Sequence, residues 1–241
     1  MARKHGGGYH VSMSFHLEHL PEPLPPEPLT LVAAWLQQAI DAGVQPNPNA
    51  MVLATADAHG APSARVVLCK EIVPRDGFIT FFTNYLSRKG NELSSNPRAA
   101  IVMHWDTMRR QVRMEGSITR TTAAESDAYF AGRAWQSRIG AWASQQSSPI
   151  ASRSALILAA EHTAQRFGLP SPTASDDTSA DPGVAIPRPP HWGGYHLWVQ
   201  ACELWIEGSA RLHDRVRWTR TLSPHEGTYL GSPWRATRLQ P

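Results

Sequence analysis

Between Met51 and Arg120 the chain repeats one pattern, an apolar or aromatic run followed by a polar or glycine-containing break. The runs are Met51–Thr55, Arg65–Lys70, Gly77–Thr83, Ala99–Trp105 and Arg110–Arg120. Their lengths and their β-branched and aromatic content read as strands. Asp57-Ala58-His59-Gly60 joins the first two as a hairpin-type turn. A single helix is expected among them, capped by Ser87 and ended by Asn96-Pro97. Strand pattern returns at Gly194–Ile206, Leu212–Thr219 and Tyr229–Leu239. Short strands joined by turns favour an antiparallel barrel over a doubly wound parallel sheet. The expected class is therefore mainly β with flanking helices (α+β).

Helical spacing is found at the edges of this pattern. Leu29, Val32, Ala33, Leu36 and Ile40 recur on one face, with Gly43 as the stop. Ala123–Arg133 and Trp135–Ala143 form two linked segments, and Pro149–Phe167 a longer one, with Ser148 as its expected N-cap. Residues 1–27, with five prolines between Pro21 and Pro28, are expected to be a flexible tail. Residues 28–241 then form one domain, and the proline-rich stretch 168–190 a surface insertion. With 41% hydrophobic residues and nine tryptophans, the chain is not a disordered polymer. It has no apolar run long enough for a membrane span and no secretory signal pattern, so a cytoplasmic protein without a membrane partner is expected. Cys69 and Cys202 cannot build a disulfide framework or a zinc site alone, so no metal is expected.

The charge balance of +3 is mild, but the basic set holds 20 arginines and only three lysines, Lys4, Lys70 and Lys89. Arginine suits bidentate recognition of phosphate or carboxylate, although a GC-rich coding bias gives the same composition. Five clusters stand out. Arg211, His213 and Arg215 would share one face of a strand, where three cations side by side ask for an anion. Tyr129, Arg133 and Ser137 would share one face of a helix if Gly132 does not break it. Arg88 and Lys89 occupy a helix N-terminus, where they oppose the macrodipole unless an anion binds there. Gln146-Ser147-Ser148 offers amide and hydroxyl groups at a second helix start. Arg65 and Lys70 bracket an apolar strand, and strict alternation puts them on opposite faces unless the strand bends or ends. Taken singly, each cluster also fits an ordinary solvated surface.

Together, and in this order, these stretches resemble the pyridoxine (pyridoxamine) 5′-phosphate oxidase family. Asn47-Pro48-Asn49-Ala50-Met51, Arg65–Lys70, Phe81–Lys89, Arg110-Gln111-Val112, Gln136–Ser148, Trp192-Gly193-Gly194, Arg211–Arg215 and the closing Arg238-Leu239-Gln240-Pro241 carry the likeness across residues 28–241. The resemblance implies an FMN-binding split β-barrel, working as a homodimer with FMN at the interface. It implies oxidation of pyridoxamine and pyridoxine 5′-phosphate to pyridoxal 5′-phosphate by O2, with release of hydrogen peroxide, in vitamin B6 salvage and biosynthesis. Carried over by motif, FMN contacts fall on Arg65, Val66, Val67, Leu68, Cys69, Lys70, Phe82, Thr83, Arg88, Lys89, Gln111, Gln146, Ser147, Trp205 and Arg215. Substrate contacts fall on Lys70, Tyr129, Arg133, Ser137, Arg211 and His213, with Arg211 and His213 as the catalytic pair nearest the reacting carbon. The chain departs from the family in three places. Phe15–Leu20 lacks an Arg-x-x-Tyr element, and the stretches 168–190 and Leu222–Trp234 are long.

Two other readings are compatible with a flavin-type barrel. One is a related oxidase with a different substrate, such as a phenazine-pathway enzyme, which would not need so many phosphate donors. The other is a non-catalytic flavin- or RNA-binding barrel, in which Trp205 and Trp218 interleave with basic residues. Salt-dependent RNA binding without a yellow colour would mark the latter; the expectation is no nucleic-acid partner.

Overall fold

The computed structural model describes residues 19–173 and 183–241. Among these residues eleven strands and five α-helices follow one another: α1 (Leu29–Asp41), β1 (Ala50–Ala56), β2 (Pro62–Leu68), β3 (Glu71–Val73), β4 (Phe78–Asn84), α2 (Arg88–Ser95), β5 (Arg98–Trp105), β6 (Arg110–Arg120), α3 (Ala123–Ala131), α4 (Trp135–Ala143), α5 (Arg153–Arg166), β7 (Trp192–Ile206), β8 (Asp214–Thr219), β9 (Leu222–His225), β10 (Thr228–Gly231) and β11 (Arg235–Arg238). Nine strands make one antiparallel sheet in the order β11-β8-β7-β6-β5-β1-β2, with β3 and β4 branching from β7. The extra residues at 222–231 form a separate β9–β10 hairpin.

Strand β7 is the axis of this arrangement. Its first half pairs with β4, from Asn84↔Trp192 to Phe78↔Trp198, and its second half with β8, from Ala201↔Thr219 to Ile206↔Asp214. Along its other edge it pairs with β6. Paired on both edges and covered on both faces, β7 reads as a continuous buried run rather than an alternating one. The β6–β7 register shifts at Glu115/Gly116, where the sheet turns from one half to the other. A Cβ at Gly116 would overlap the carbonyl of Trp198, so a residue without a side chain is required at the bulge. The main core lies inside the curled sheet and includes Phe81, Trp105 and Trp218, closed by the Leu29, Val32, Trp35 and Ala39 face of α1. A second core of Phe130, Trp135, Ile139, Ala164, Leu169, Ile186 and Trp192 lies among α3, α4, α5 and the start of β7.

Several sequence expectations are corrected here. Strand β2 stops at Leu68, so Lys70 is no longer bound by its alternation; the Lys70 N–H donates to Thr80 O at 2.8 Å as the chain crosses to β3. Tyr129, Arg133 and Ser137 do not lie on one continuous helix, because α3 ends at Ala131 with Gly132 as its cap and α4 starts at Trp135. The long helix is capped by Ser152, whose hydroxyl accepts from the Ala155 N–H at 3.0 Å, and not by Ser148 before Pro149. Strand β8 begins at Asp214, so Arg211 and His213 precede it; Arg211 closes a turn of 3₁₀ helix with φ +63°. The alternation argument for Arg211, His213 and Arg215 therefore fails.

Two boundaries move as well. Residues 19–27 pack against the domain: Leu20 is buried, its N–H donates to Asp214 Oδ2 at 2.8 Å, and Trp218 Nε1 donates to Pro25 O at 3.0 Å. The remainder of the expected tail, residues 1–18, lies outside the described residues. The ends of the expected insertion are not merely surface, since Leu169 and Ile186 are buried in the second core and Pro187 O accepts from Trp142 Nε1 at 2.7 Å.

Candidate active site

A cavity of about 760 Å³ opens where β2, β4, the start of β7 and the α2, α3 and α4 helices meet. That volume suits a cofactor or a substrate-sized ligand. Among the described residues its wall carries Arg65, Lys70, Lys89 and Arg133 and no carboxylate. Tyr129, Arg133 and Ser137 all line it, because the break at Gly132 turns α4 back over the same opening. Arg65 and Lys70 line it together because β2 has ended between them.

The cations are held in different ways. The Arg65 fork donates to Leu53 O at 3.2 Å, to the Ser63 and Thr55 hydroxyls, and to Glu92 Oε2 at 3.2 Å. Glu92, only 5% exposed, also accepts from Ser63 Oγ at 2.6 Å and from Arg88 Nε at 2.8 Å. Burial pushes the Glu92 carboxyl up, but hydrogen bonds from Ser63, Thr55, Arg88 and Arg65 outweigh it and hold the group at about 2. The carboxylate therefore lies behind the cavity wall as a fixed negative charge. Lys89 Nζ donates to Gln146 Oε1 at 2.8 Å and to Ser87 Oγ at 3.1 Å. Burial and the neighbouring Arg65 charge pull its ammonium down to about 8, against the opposing pull of Glu92. The expected misfit at the start of α2 is present, with no acidic residue in the first turn. Arg88 is answered by Glu92 one turn on, and Lys89 faces the cavity.

Between the cations lies a layer of parallel rings. Phe82 and Tyr129 stack at 3.9 Å and 6°, and Trp192 is parallel to both within 10°. Lys70 Nζ stands 5.7 Å from the Tyr129 ring centre. Cys69 is the member of the 65–70 run that faces away; its thiol is buried in the main core and pushed up to about 12 by that burial.

Arg88 and Ser147 line a neighbouring cavity that shares Gln146 with the first. The remaining sequence-derived residues form a separate group. Gln111, Trp205 and Arg215 are directly opposite one another across β6, β7 and β8, so they form one row on one face of the sheet. The His213 ring packs on Trp205 at 4.7 Å, and its Nδ1 accepts from the Gly208 N–H at 3.2 Å. Arg215 pairs with buried Glu203 at 2.9 Å. Arg211 is exposed at the adjoining turn. None of this second group lines the large cavity of its own chain.

Sequence reasoning missed the two carboxylates that fix the arginines, Glu92 and Glu203, and it gave Trp192 no role. The Arg88/Glu92 spacing of four in a helix was a usable signal. Among the described residues no group of three or more His, Cys, Asp or Glu is placed to hold a metal, and no helix is long and apolar enough to cross a membrane.

The chain matches the family described as pyridoxamine 5′-phosphate oxidase over residues 36–167, and the pyridoxine 5′-phosphate oxidase C-terminal dimerisation region over residues 192–241. It is 49% identical to a pyridoxine/pyridoxamine 5′-phosphate oxidase of Paraburkholderia phymatum, over 90% of each chain. It is 46% identical to the protein of that name from Maricaulis maris, over 89% of this chain and 86% of the relative. Among solved structures, PhzG from Burkholderia lata 383, in complex with tetrahydrophenazine-1-carboxylic acid, superposes with a TM-score of 0.74 at 32% identity, covering 90% of this chain and 94% of that one. A pyridoxamine 5′-phosphate oxidase-related, FMN-binding protein from Nostoc punctiforme shares the fold, with a TM-score of 0.63 at 16% identity over 89% of this chain and 97% of that one. Sequence, split-barrel topology and the cation-lined cavity agree: the chain belongs to the pyridoxamine 5′-phosphate oxidase family.

Proposed function

We propose that this protein is an FMN-dependent oxidase that converts pyridoxamine 5′-phosphate and pyridoxine 5′-phosphate to pyridoxal 5′-phosphate, with O2 reduced to hydrogen peroxide and, for the amine, water consumed and ammonia released. The observation that carries the reading is the cavity wall itself, with four cations, no carboxylate and a parallel aromatic layer, in a member of this family. Two phosphate-bearing ligands with flat rings ask for such a wall. The residues present fit FMN on the same ground: Arg65 and Lys89, with Gln146 beside them, form a cationic end, and for the second phosphate a buried Arg133 Nη1 has no hydrogen-bond partner among the described residues.

Arg65, Lys89, Gln146 and the neighbouring Arg88 and Ser147 would hold the FMN phosphate, while Val66, Val67, Leu68, Phe82 and Thr83 would border its ring. Bound there, FMN would supply the two-electron acceptor. Lys70, Tyr129, Arg133 and Ser137 would grip the substrate phosphate. The Phe82, Tyr129 and Trp192 rings exclude water from that side of the cavity. Gln111, Trp205, Arg211, His213 and Arg215 come to the cavity, in this reading, from the other subunit of a homodimer. Their position within the matched dimerisation region or beside it, away from their own chain's cavity, supports this. With Nδ1 accepting from Gly208, neutral His213 keeps its proton on Nε2 and acts as a hydrogen-bond donor toward substrate rather than as a base.

The purified protein is expected to be yellow and to release one peroxide per pyridoxal 5′-phosphate formed. A reading based on the likeness to PhzG is tested in the same assay with tetrahydrophenazine-1-carboxylic acid as substrate. Peroxide from that compound, with none from either phosphorylated vitamer, would overturn the B6 assignment. A protein that takes up no FMN would overturn the flavin.

A pH prediction follows from Lys89. Its ammonium is charged below about pH 8 and is lost as the pH rises through that value. A phosphate favours the charged form, so FMN affinity should fall above pH 8, and binding at pH 8.5 should take up protons. In Lys89→Met both effects should disappear, as read by calorimetry in two buffers of different ionisation enthalpy. Proton uptake that persists in the variant would assign the titration to another group.

A further inference from the structure

The Arg133 guanidinium differs from the other arginines of the site. Arg65, Arg88 and Arg215 are each paired with a carboxylate, whereas among the described residues Arg133 has none. It sits in the middle of the three-residue link between α3 and α4, where no helix fixes its direction. It is held by aromatic faces instead. Its guanidinium carbon lies 4.7 Å from the ring centre of Trp192 and 5.5 Å from that of Phe130. Burial pulls the group's pKa down, and its Nη1 is buried with no hydrogen-bond partner among the described residues. A cation stacked on a ring keeps its in-plane donors free, which a cation paired with a carboxylate does not.

Trp192 is itself tightly placed. It is the first residue of β7, opposite Asn84 on β4. Its N–H donates to Pro189 O at 3.0 Å, and its carbonyl accepts from Arg188 Nη1 at 2.6 Å. Arg188 in turn pairs with Asp127 of α3 at 2.6 Å, which ties the tryptophan to the helix that carries Tyr129. After it the chain has no side chain at Gly194, where a Cβ would run into Phe82 and Thr121. The Trp192 ring is parallel to Phe82 at 5.5 Å and to Tyr129 at 6.1 Å. One indole thus touches the ring layer and the unpaired guanidinium together.

We infer that Trp192 is the positioning residue of the substrate-phosphate clamp: its indole face holds the Arg133 guanidinium, with donors free, beside Tyr129. The inference deepens the proposed function and rests on it. Its effect is specific to the phosphate, because an indole that merely lined the cavity would help phosphorylated and unphosphorylated rings alike.

The test uses the FMN-loaded full-length protein and titrates pyridoxal 5′-phosphate and pyridoxal in parallel, alongside steady-state oxidation of pyridoxamine 5′-phosphate. Trp192→Leu keeps an apolar side chain but removes the aromatic face. It should weaken pyridoxal 5′-phosphate about tenfold, the size of a largely desolvated cation–π contact. Pyridoxal binding and flavin content should change by less than about twofold, and the loss should fall in KM with kcat retained. Trp192→Phe, which keeps a ring, should restore most of the phosphate preference. If both ligands weaken equally in Trp192→Leu, or neither does, the positioning role is overturned. Should Trp192→Leu fail to fold, Trp192→Met, which also lacks an aromatic face, carries the same comparison, and an unchanged phosphate preference in it overturns the role. A wild-type holoprotein that does not distinguish pyridoxal 5′-phosphate from pyridoxal overturns the proposed substrate and, with it, this inference.

Discussion

Arg65→Ala is expected to lower stability by about 3 kcal/mol as well as to release flavin, because the substitution removes a charge from Glu92. That carboxylate is 5% exposed and is held at about 2 by four donors, one of them the Arg65 fork. Breaking a buried pair leaves an uncompensated charge and typically costs about 3–5 kcal/mol. The low end applies, since Arg88 and the Ser63 and Thr55 hydroxyls remain. In a chain of this size the loss corresponds to a melting temperature lower by roughly 6–12 °C. Arg65→Ala with Glu92→Gln should recover most of that stability while flavin retention stays poor, because the phosphate donor is still missing. Urea unfolding and bound-flavin absorbance on the single and double variants separate the two roles. A double variant as unstable as Arg65→Ala would show that the fork supports the fold through its bonds to Leu53 and the hydroxyls rather than through Glu92.

Strands β1, β2, β4, β5 and β6 were legible because each is an apolar or aromatic run bounded by turn residues, which is a local fact; the three-residue β3 was not, since only its pairing with β4 marks it. The α2 cap was legible for the same reason: Ser87 accepts from the Gly90 N–H within one turn. What the sequence misplaced depends on partners far away. Strand β8 was begun two residues early, at Leu212, because its start is set by Ile206 opposite Asp214. The long helix was started at Pro149 because Ser148-Pro149 has the local form of a helix start, yet Ser152 supplies the cap. The proline-rich ends of 168–190 look solvated in isolation, and only α3, α4 and β7 together make the slot that buries Leu169 and Ile186. The site divides along the same line. Motif order gathered the cavity cations, including Arg65 and Lys70, although alternation alone would have separated them. It did not reveal Glu92 and Glu203, since a carboxylate that fixes an arginine from behind has no pattern of its own beyond its charge.

Arg211 and Arg215 give the second large contrast, and the structure changes what is expected of them. Arg215 is not a free surface cation: its Nη2 meets Glu203, 5% exposed, at 2.9 Å, and its Nη1 donates to Gln240 O at 3.1 Å. Arg215→Ala leaves Glu203 with Arg113 at 3.8 Å as its remaining ion pair among the described residues. The variant should therefore lose about 2–3 kcal/mol of stability and, if the row with Gln111 and Trp205 meets FMN, its flavin as well. Excess FMN should restore part of both by mass action. Arg211 is the opposite case. It is exposed, with no side-chain ion pair among the described residues, and its φ of +63° is no easier for arginine than for alanine. Arg211→Ala should change stability by less than about 0.5 kcal/mol and leave flavin in place. If the lost interaction is made in the transition state, a charge-assisted contact of roughly 1.5–3 kcal/mol corresponds to a turnover about 10- to 100-fold lower. Melting temperature, flavin occupancy and turnover measured side by side decide the assignment. An Arg211→Ala protein that loses flavin, or an Arg215→Ala protein that keeps flavin and stability but loses turnover, would exchange the roles of the two arginines.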